Sequence, residues 1–120
     1  VKKSMTFQRQ ELGKAGEDEA LKFLLDKGFL LIGRNVHLFC GEIDILIKNK
    51  NTFVIVEVKT KTDSSFGLAQ EMVNYRKKRK LLQLAKALMQ KYPNINVRID
   101  VVAIDKEKGD ISHFISAVEE

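Results

Sequence analysis

Cysteine occurs once, at Cys40, so no internal disulfide can form, and nothing near it has metal-ligand spacing. One proline, Pro93, and seven glycines in 120 residues exclude collagen-like and low-complexity chains. No apolar run approaches the roughly 20 residues of a membrane helix. Val1 to Arg9 lack the apolar core of a signal peptide. There is no phosphate-binding glycine loop, no zinc pattern and no Ser-His-Asp constellation, and His37 and His113 stand isolated. These absences leave the expectation of a soluble cytoplasmic protein, its thiol suited to a reducing interior, folded as a single domain over residues 1–120.

Positive charge is what the chain has in surplus. The formal net charge is +5, and residues 71–98 hold eight Lys or Arg against Glu71 alone, a local +7 that leaves −2 for the remainder. Such a concentration on a small domain points to a polyanion, of which nucleic acid is the commonest. The composition is otherwise that of a globular chain, 44% hydrophobic and 31% charged. At this length about two-thirds of the unfolded surface can be buried, with no structural metal needed.

Periodicity predicts a first helix from Gln8 to Lys27, with Leu12, Ala15, Ala20, Phe23 and Leu24 on one side and Gly28 as its C-cap. Phe29 to Ile32 reads as a short buried strand, and Gly33 to Gly41 as a connection with an extended middle. Ile43 to Ile47 and Phe53 to Thr60 are the clearest strands, separated by a polar hairpin turn. Thr62 to Gly67 reads as a loop, and Leu68 to Lys91 as a long helical region with Asn74 as a break or second N-cap. Val97 to Ile104 and Ile111 to Ile115 complete an α-β-β-β-α-β-β order, an α/β fold with a mixed sheet flanked by helices.

The hairpin carries the chemistry. Alternation puts Ile43, Ile45 and Ile47 on one face of its first strand. The second has Val54, Val56 and Val58 on one face and Phe53, Ile55, Glu57 and Lys59 on the other. With a two-residue turn at Lys50-Asn51, Asp44 falls opposite Glu57 on the same side, and Glu42 opposite Lys59. Directly opposed like charges destabilise a sheet, so paired acids in otherwise apolar strands call for a compensating partner. A divalent cation removes the repulsion, and hard oxygen donors with room for water and phosphate describe a Mg²⁺ site, with Mn²⁺ as the alternative ion. Lys59 projects from the Glu57 face about 7 Å further along, where it can hold a phosphate or position an attacking water. A surface ion pair between Glu57 and Lys59 is the competing reading, and both stand at this point.

Glu17 has a weaker case. Gly13 and Gly16 lower helix propensity by up to about 1 kcal/mol each, and small residues let a helix approach a sheet closely, which would bring Glu17 towards the hairpin. Glu17 can equally be one of three solvated helix acids in Glu17-Asp18-Glu19.

Arg76-Lys-Lys-Arg-Lys80 is five consecutive cations. Val73, Leu81, Leu84 and Leu88 mark a buried stripe; Lys77 falls on it, and Gln70 lies about one turn before Val73. Lys77 is therefore the cation expected to reach the strand acids and meet a phosphate, with Gln70 near the same stripe. Arg76, Lys78, Arg79 and Lys80 would make sequence-independent backbone contacts and salt-dependent binding. A snorkelling lysine in a solubilising charge run is the other reading.

The run Gly41-Glu-Ile-Asp-Ile-Leu-Ile47 followed by Val56-Glu-Val-Lys-Thr60 resembles the Asp…Glu-x-Lys core of PD-(D/E)xK nucleases, which have the restriction-endonuclease-like fold. Together with Gly13-x-x-Gly16-Glu17-x-x-Ala20, Arg34-Asn35-Val36 and Arg98-Ile-Asp-Val-Val102, the pattern is similar to the YraN-like bacterial family of predicted endonucleases, distantly similar to archaeal Holliday-junction resolvases. The resemblance implies that Asp44 and Glu57 are metal ligands, Lys59 the catalytic lysine and Glu17 the first-helix glutamate brought to the metal. Ile43 stands where the motif's name has proline. It further implies Mg²⁺-dependent hydrolysis of DNA, branched or structured DNA being favoured, with 5′-phosphate and 3′-hydroxyl products, and by analogy a homodimer. Two other classes stay open: a catalytically weak or inactive nucleic-acid-binding module of the same fold, and a basic adaptor for an acidic protein.

Overall fold

The computed structural model describes residues 5–61 and 73–119, with side chains from residue 13 onwards. The elements are α1 (Met5–Asp26), β1 (Leu30–Leu38), β2 (Gly41–Asn49), β3 (Thr52–Lys61), α2 (Tyr75–Lys91), β4 (Asn96–Asp105) and β5 (Asp110–Phe114). They follow the expected order. The strands form one five-stranded sheet in sequential order. Only β3 and β4 run parallel, and α2 lies in the crossover between them; all other neighbours are antiparallel.

Two hydrophobic cores lie on opposite faces of this sheet. Ala20 and Leu24 of α1 cover Ile45, Ile47, Val54, Val56, Val102 and Ile104. Leu81, Leu84, Ala85 and Leu88 of α2 cover Ile43, Leu46, Phe53, Ile55, Ile99 and Val101. Leu81, Leu84 and Leu88 of the predicted stripe are buried on α2; Val73 is buried too but precedes the helix. On α1 the inward line is Gly16, Ala20 and Leu24, and Ala15 is exposed instead of buried.

Capping residues set the helix ends. Gly28, at φ +99, closes α1: its N–H donates to Leu25 O at 3.0 Å and the Phe29 N–H donates to Leu24 O at 3.2 Å. This left-handed closure is the form glycine takes at least steric cost. Asn74 caps α2, its Oδ1 accepting the Lys77 N–H at 2.9 Å. The second helix thus begins at Asn74, one of the two alternatives for that residue. Residues 62–72, with the expected loop, Gly67 and Gln70, lie outside the described residues.

Three strand expectations are corrected. The strand placed at Phe29 to Ile32 continues to Leu38, through what had read as a connection. Its apolar start is not buried, since Leu30, Leu31 and Ile32 are exposed on the sheet's edge strand. Hydropathy marks these residues as strand but cannot tell an edge from a centre. The third correction concerns Ile43, which packs on the α2 side while Ile45 and Ile47 pack on the α1 side. Alternation fails at Asp44. Between the pairs Arg34↔Ile45 and Val36↔Ile43 the ladder skips Asn35 and Asp44, and Asn35 has φ +53.

On β4 and β5, Asp100 and His113 acquire partners that the sequence did not reveal. Asp100 is fully buried and accepts from His113 Nε2 at 2.7 Å, the Ser116 N–H at 2.9 Å and Arg98 Nε at 3.1 Å. Burial alone would raise its pKa, but the hydrogen bonds from His113, Ser116 and Arg98 outweigh it and hold the carboxyl below its ordinary value. The other ring nitrogen of His113, Nδ1, is 2.7 Å from Lys27 Nζ. An ammonium only donates, so Nδ1 accepts there and Nε2 carries the proton given to Asp100. Among the described residues no helix is long and apolar enough to cross a membrane.

Candidate active site

The β2–β3 hairpin forms in the predicted register, turning at Lys50-Asn51 between Asn49↔Thr52. Lys50 takes φ +55 to make the turn. Pairing runs up to Ile45↔Val56 and stops there. Beyond that point β2 stays with β1 through Leu38↔Gly41, while β3 stays with β4 through Lys61↔Asp105. The strands therefore part where the next residues are Asp44 and Glu57. The two acids border this opening instead of facing each other across a closed ladder.

Glu57 is on the α2 side of β3, in line with Phe53 and Ile55, and is only 6% exposed. Two ammonium groups balance its charge: Lys59 Nζ at 3.5 Å and Lys77 Nζ at 3.6 Å from Oε2. Both lysine side chains remain partly exposed, so their free N–H groups can reach a ligand. Lys77 is positioned by α2, and its own backbone N–H makes the Asn74 cap.

Glu17 reaches the other side of the opening. At Gly16 a Cβ would collide with Thr60 Oγ1 and touch Val58 of β3, so only glycine lets α1 sit this close to the strand. The next residue, Glu17, is half-buried, and its pKa is raised, first by burial and second by the charge of Asp44. Arg34 of β1 opposes that shift from 3.5 Å, and its other nitrogen donates to Asp18 at 2.6 Å. Glu17, Arg34 and Asn35 line a cleft of about 570 Å³ with Gly13 and Lys14.

The sequence-predicted residues thus fall into two groups, Glu17 with Asp44 and Glu57 with Lys59 and Lys77. Among the described residues no three of His, Cys, Asp and Glu are grouped so as to hold a metal ion. Arg76, Lys78, Arg79 and Lys80 occupy the first turns of α2, where Lys80 lies over Gly41 of β2. No acid occupies that first turn, so within the turn these cations stand at the positive end of the helix dipole, an arrangement that favours an anion. Gln70 lies outside the described residues. Sequence reasoning gave Arg34 no role in holding Glu17, although the residue was part of the quoted pattern. Its partner lies across the α1–β1 turn, at a distance that spacing along the chain does not convey.

Comparisons with known proteins agree over nearly the whole chain. A UPF0102 protein of Thermodesulfovibrio yellowstonii is 42% identical over 113 residues, covering 91% of this chain and 96% of its own. One of Syntrophotalea carbinolica is 34% identical over 117 residues, covering 94% and 95%. Among solved structures, Pyrococcus furiosus SfsA in complex with Ca²⁺ overlaps 98% of this chain and 66% of its own, at 17% identity and a TM-score of 0.31, too slight a likeness to carry a conclusion. The family model described as "Uncharacterised protein family UPF0102" matches residues 16–104, and with these relatives it establishes that the chain belongs to that YraN-like family.

Proposed function

We propose that this protein is a metal-dependent endonuclease-like enzyme that hydrolyses phosphodiester bonds in DNA, with branched or structured DNA as its substrate and a homodimer as its working form. The observation that carries the reading is Glu57, nearly buried between Lys59 and Lys77 at the point where β2 and β3 separate beside Asp44.

The donor chemistry fits Mg²⁺ or Mn²⁺. Mg²⁺ keeps most of its waters and takes one or two carboxylates plus substrate phosphate, so it does not need a three-acid cage. Asp44 and Glu57 would hold the ion, with Glu17 in support; burial is the first cause of the raised Glu17 pKa, and a cation would relieve the repulsion from Asp44 that adds to it. The bound metal supplies an acidified water and neutralises charge on the phosphate. Lys59 positions the water or takes a non-bridging phosphate oxygen. Lys77 takes a second oxygen, and the remaining α2 cations fix the backbone without reading sequence.

A cleavage assay on linear, flapped and four-way-junction DNA with Mg²⁺ or Mn²⁺ tests the proposal. Cutting is expected to need metal and to fall by about 100-fold or more in Asp44→Asn and Lys59→Ala, with the fold retained. Persistent cutting in both variants overturns the site. A second reading, a nucleic-acid-binding module without turnover, is favoured by one observation: Glu57 already has its charge balanced by two lysines. Salt-dependent binding with no metal-dependent cutting selects it.

A further inference from the structure

The start of α2 offers more than charge. Tyr75, Arg76, Lys77, Arg79, Lys80 and Gln83 are among the residues lining an open cleft of about 660 Å³. Tyr75 is 74% exposed, and the Arg79 guanidinium lies 5.8 Å from its ring centroid. Phe39, 89% exposed, is in the β1–β2 turn. That turn is fastened to the same stretch of helix, through Cys40 Sγ donating to Gln83 O at 3.8 Å and Gly41 lying beneath Lys80. Among the described residues Phe39 and Tyr75 are the two most exposed large hydrophobic side chains and neither belongs to a core; Tyr75 lines the basic cleft, and Phe39 lies in the turn held against the helix that forms it.

Phosphates need only cations. A closed duplex keeps its bases stacked inside and would give both rings nothing to contact. Unpaired bases present free π faces that stack on Tyr and Phe, and a guanidinium over the ring adds to the contact. We propose that this cleft binds an unpaired DNA strand, with Tyr75 and Phe39 stacking bases while Arg76, Lys77 and Arg79 take phosphates. The strand is led past Lys77 to Glu57. The proposal deepens the nuclease reading by naming its substrate class, and it rests on the nucleic-acid part of that reading and not on turnover.

Fluorescence anisotropy in EDTA, with a labelled oligothymidylate and a blunt hairpin duplex of equal phosphate number, tests it. The single strand is expected to bind more tightly than the duplex. Tyr75→Ala should weaken single-strand binding by roughly 5- to 100-fold, Phe39→Ala should weaken it in the same direction, and Tyr75→Phe should restore it. Equal affinity for the two DNAs, or full single-strand affinity in Tyr75→Ala, overturns the proposal. Cleavage with Mg²⁺ is scored separately on the same proteins. Tyr75-dependent binding without any cutting sinks the nuclease reading and leaves this one standing. Metal-dependent cutting of blunt duplex that Tyr75→Ala does not alter does the reverse.

Discussion

A few individual atoms decide how close the functional side chains can come. The missing Cβ of Gly16 is one case. Gly16→Ala drives a methyl into Thr60 Oγ1, so Thr60 must rotate, α1 lift or β3 shift, and overpacking of this kind costs about 1–3 kcal/mol. Thermal unfolding should report that loss. Any nuclease activity should fall further than stability explains, because Glu17 moves with the helix. Asp100 makes the second case, with a sign that can be worked out. Its carboxyl sits below the ordinary value, so the unfolded chain binds the proton more tightly than the native one. The stability it contributes is complete above about pH 3.9, the ordinary value, and is lost as pH falls through the lower native value. Asp100→Asn should cost about 2–4 kcal/mol at neutral pH. Urea titrations of the variant should also show less acid destabilisation than the parent; equal pH profiles would remove Asp100 from the account.

The elements differ in how openly they are written. β2 and β3 are legible because Ile, Val and Leu fill both faces of central strands, and the register follows once the polar stretch turns at Lys50-Asn51. The α2 stripe is legible for the analogous helical reason, Leu81, Leu84 and Leu88 at a spacing that one buried face requires. β1 is not, since its exposed Leu30 and Leu31 mimic a buried run and Gly33 and Asn35 interrupt the pattern. The turn of alternation at Asp44 is equally hidden, because it arises in the pairing with Asn35 and not in β2 itself. The bond between Asp100 and His113 is illegible because it spans two adjacent strands whose pairing only the fold reveals. At this scale the cap of α2 gives a test. Asn74→Ala should cost about 1 kcal/mol. Because the lost donor partner is the Lys77 N–H, DNA binding should weaken along with it, while a surface change at Gln90 should move neither.

Over the whole molecule, charge is divided unevenly, with the local +7 of residues 71–98 set against −2 elsewhere. If four α2 cations each neutralise a phosphate, the logarithm of DNA affinity should fall with the logarithm of salt at a slope of about −3 to −4. Arg76→Ala should reduce that slope by about 1 on every sequence tested; a flat salt response would exclude a backbone-contact surface. The sheet's one parallel pairing has a further consequence in time. Every other strand pair is joined by a short turn, whereas β3 meets β4 only across the whole α2 crossover. Glu57 lies on β3 and Lys77 on the crossover helix itself. The Glu57 carboxylate therefore has Lys59 beside it from the start, and gains Lys77 only when α2 folds back onto the sheet.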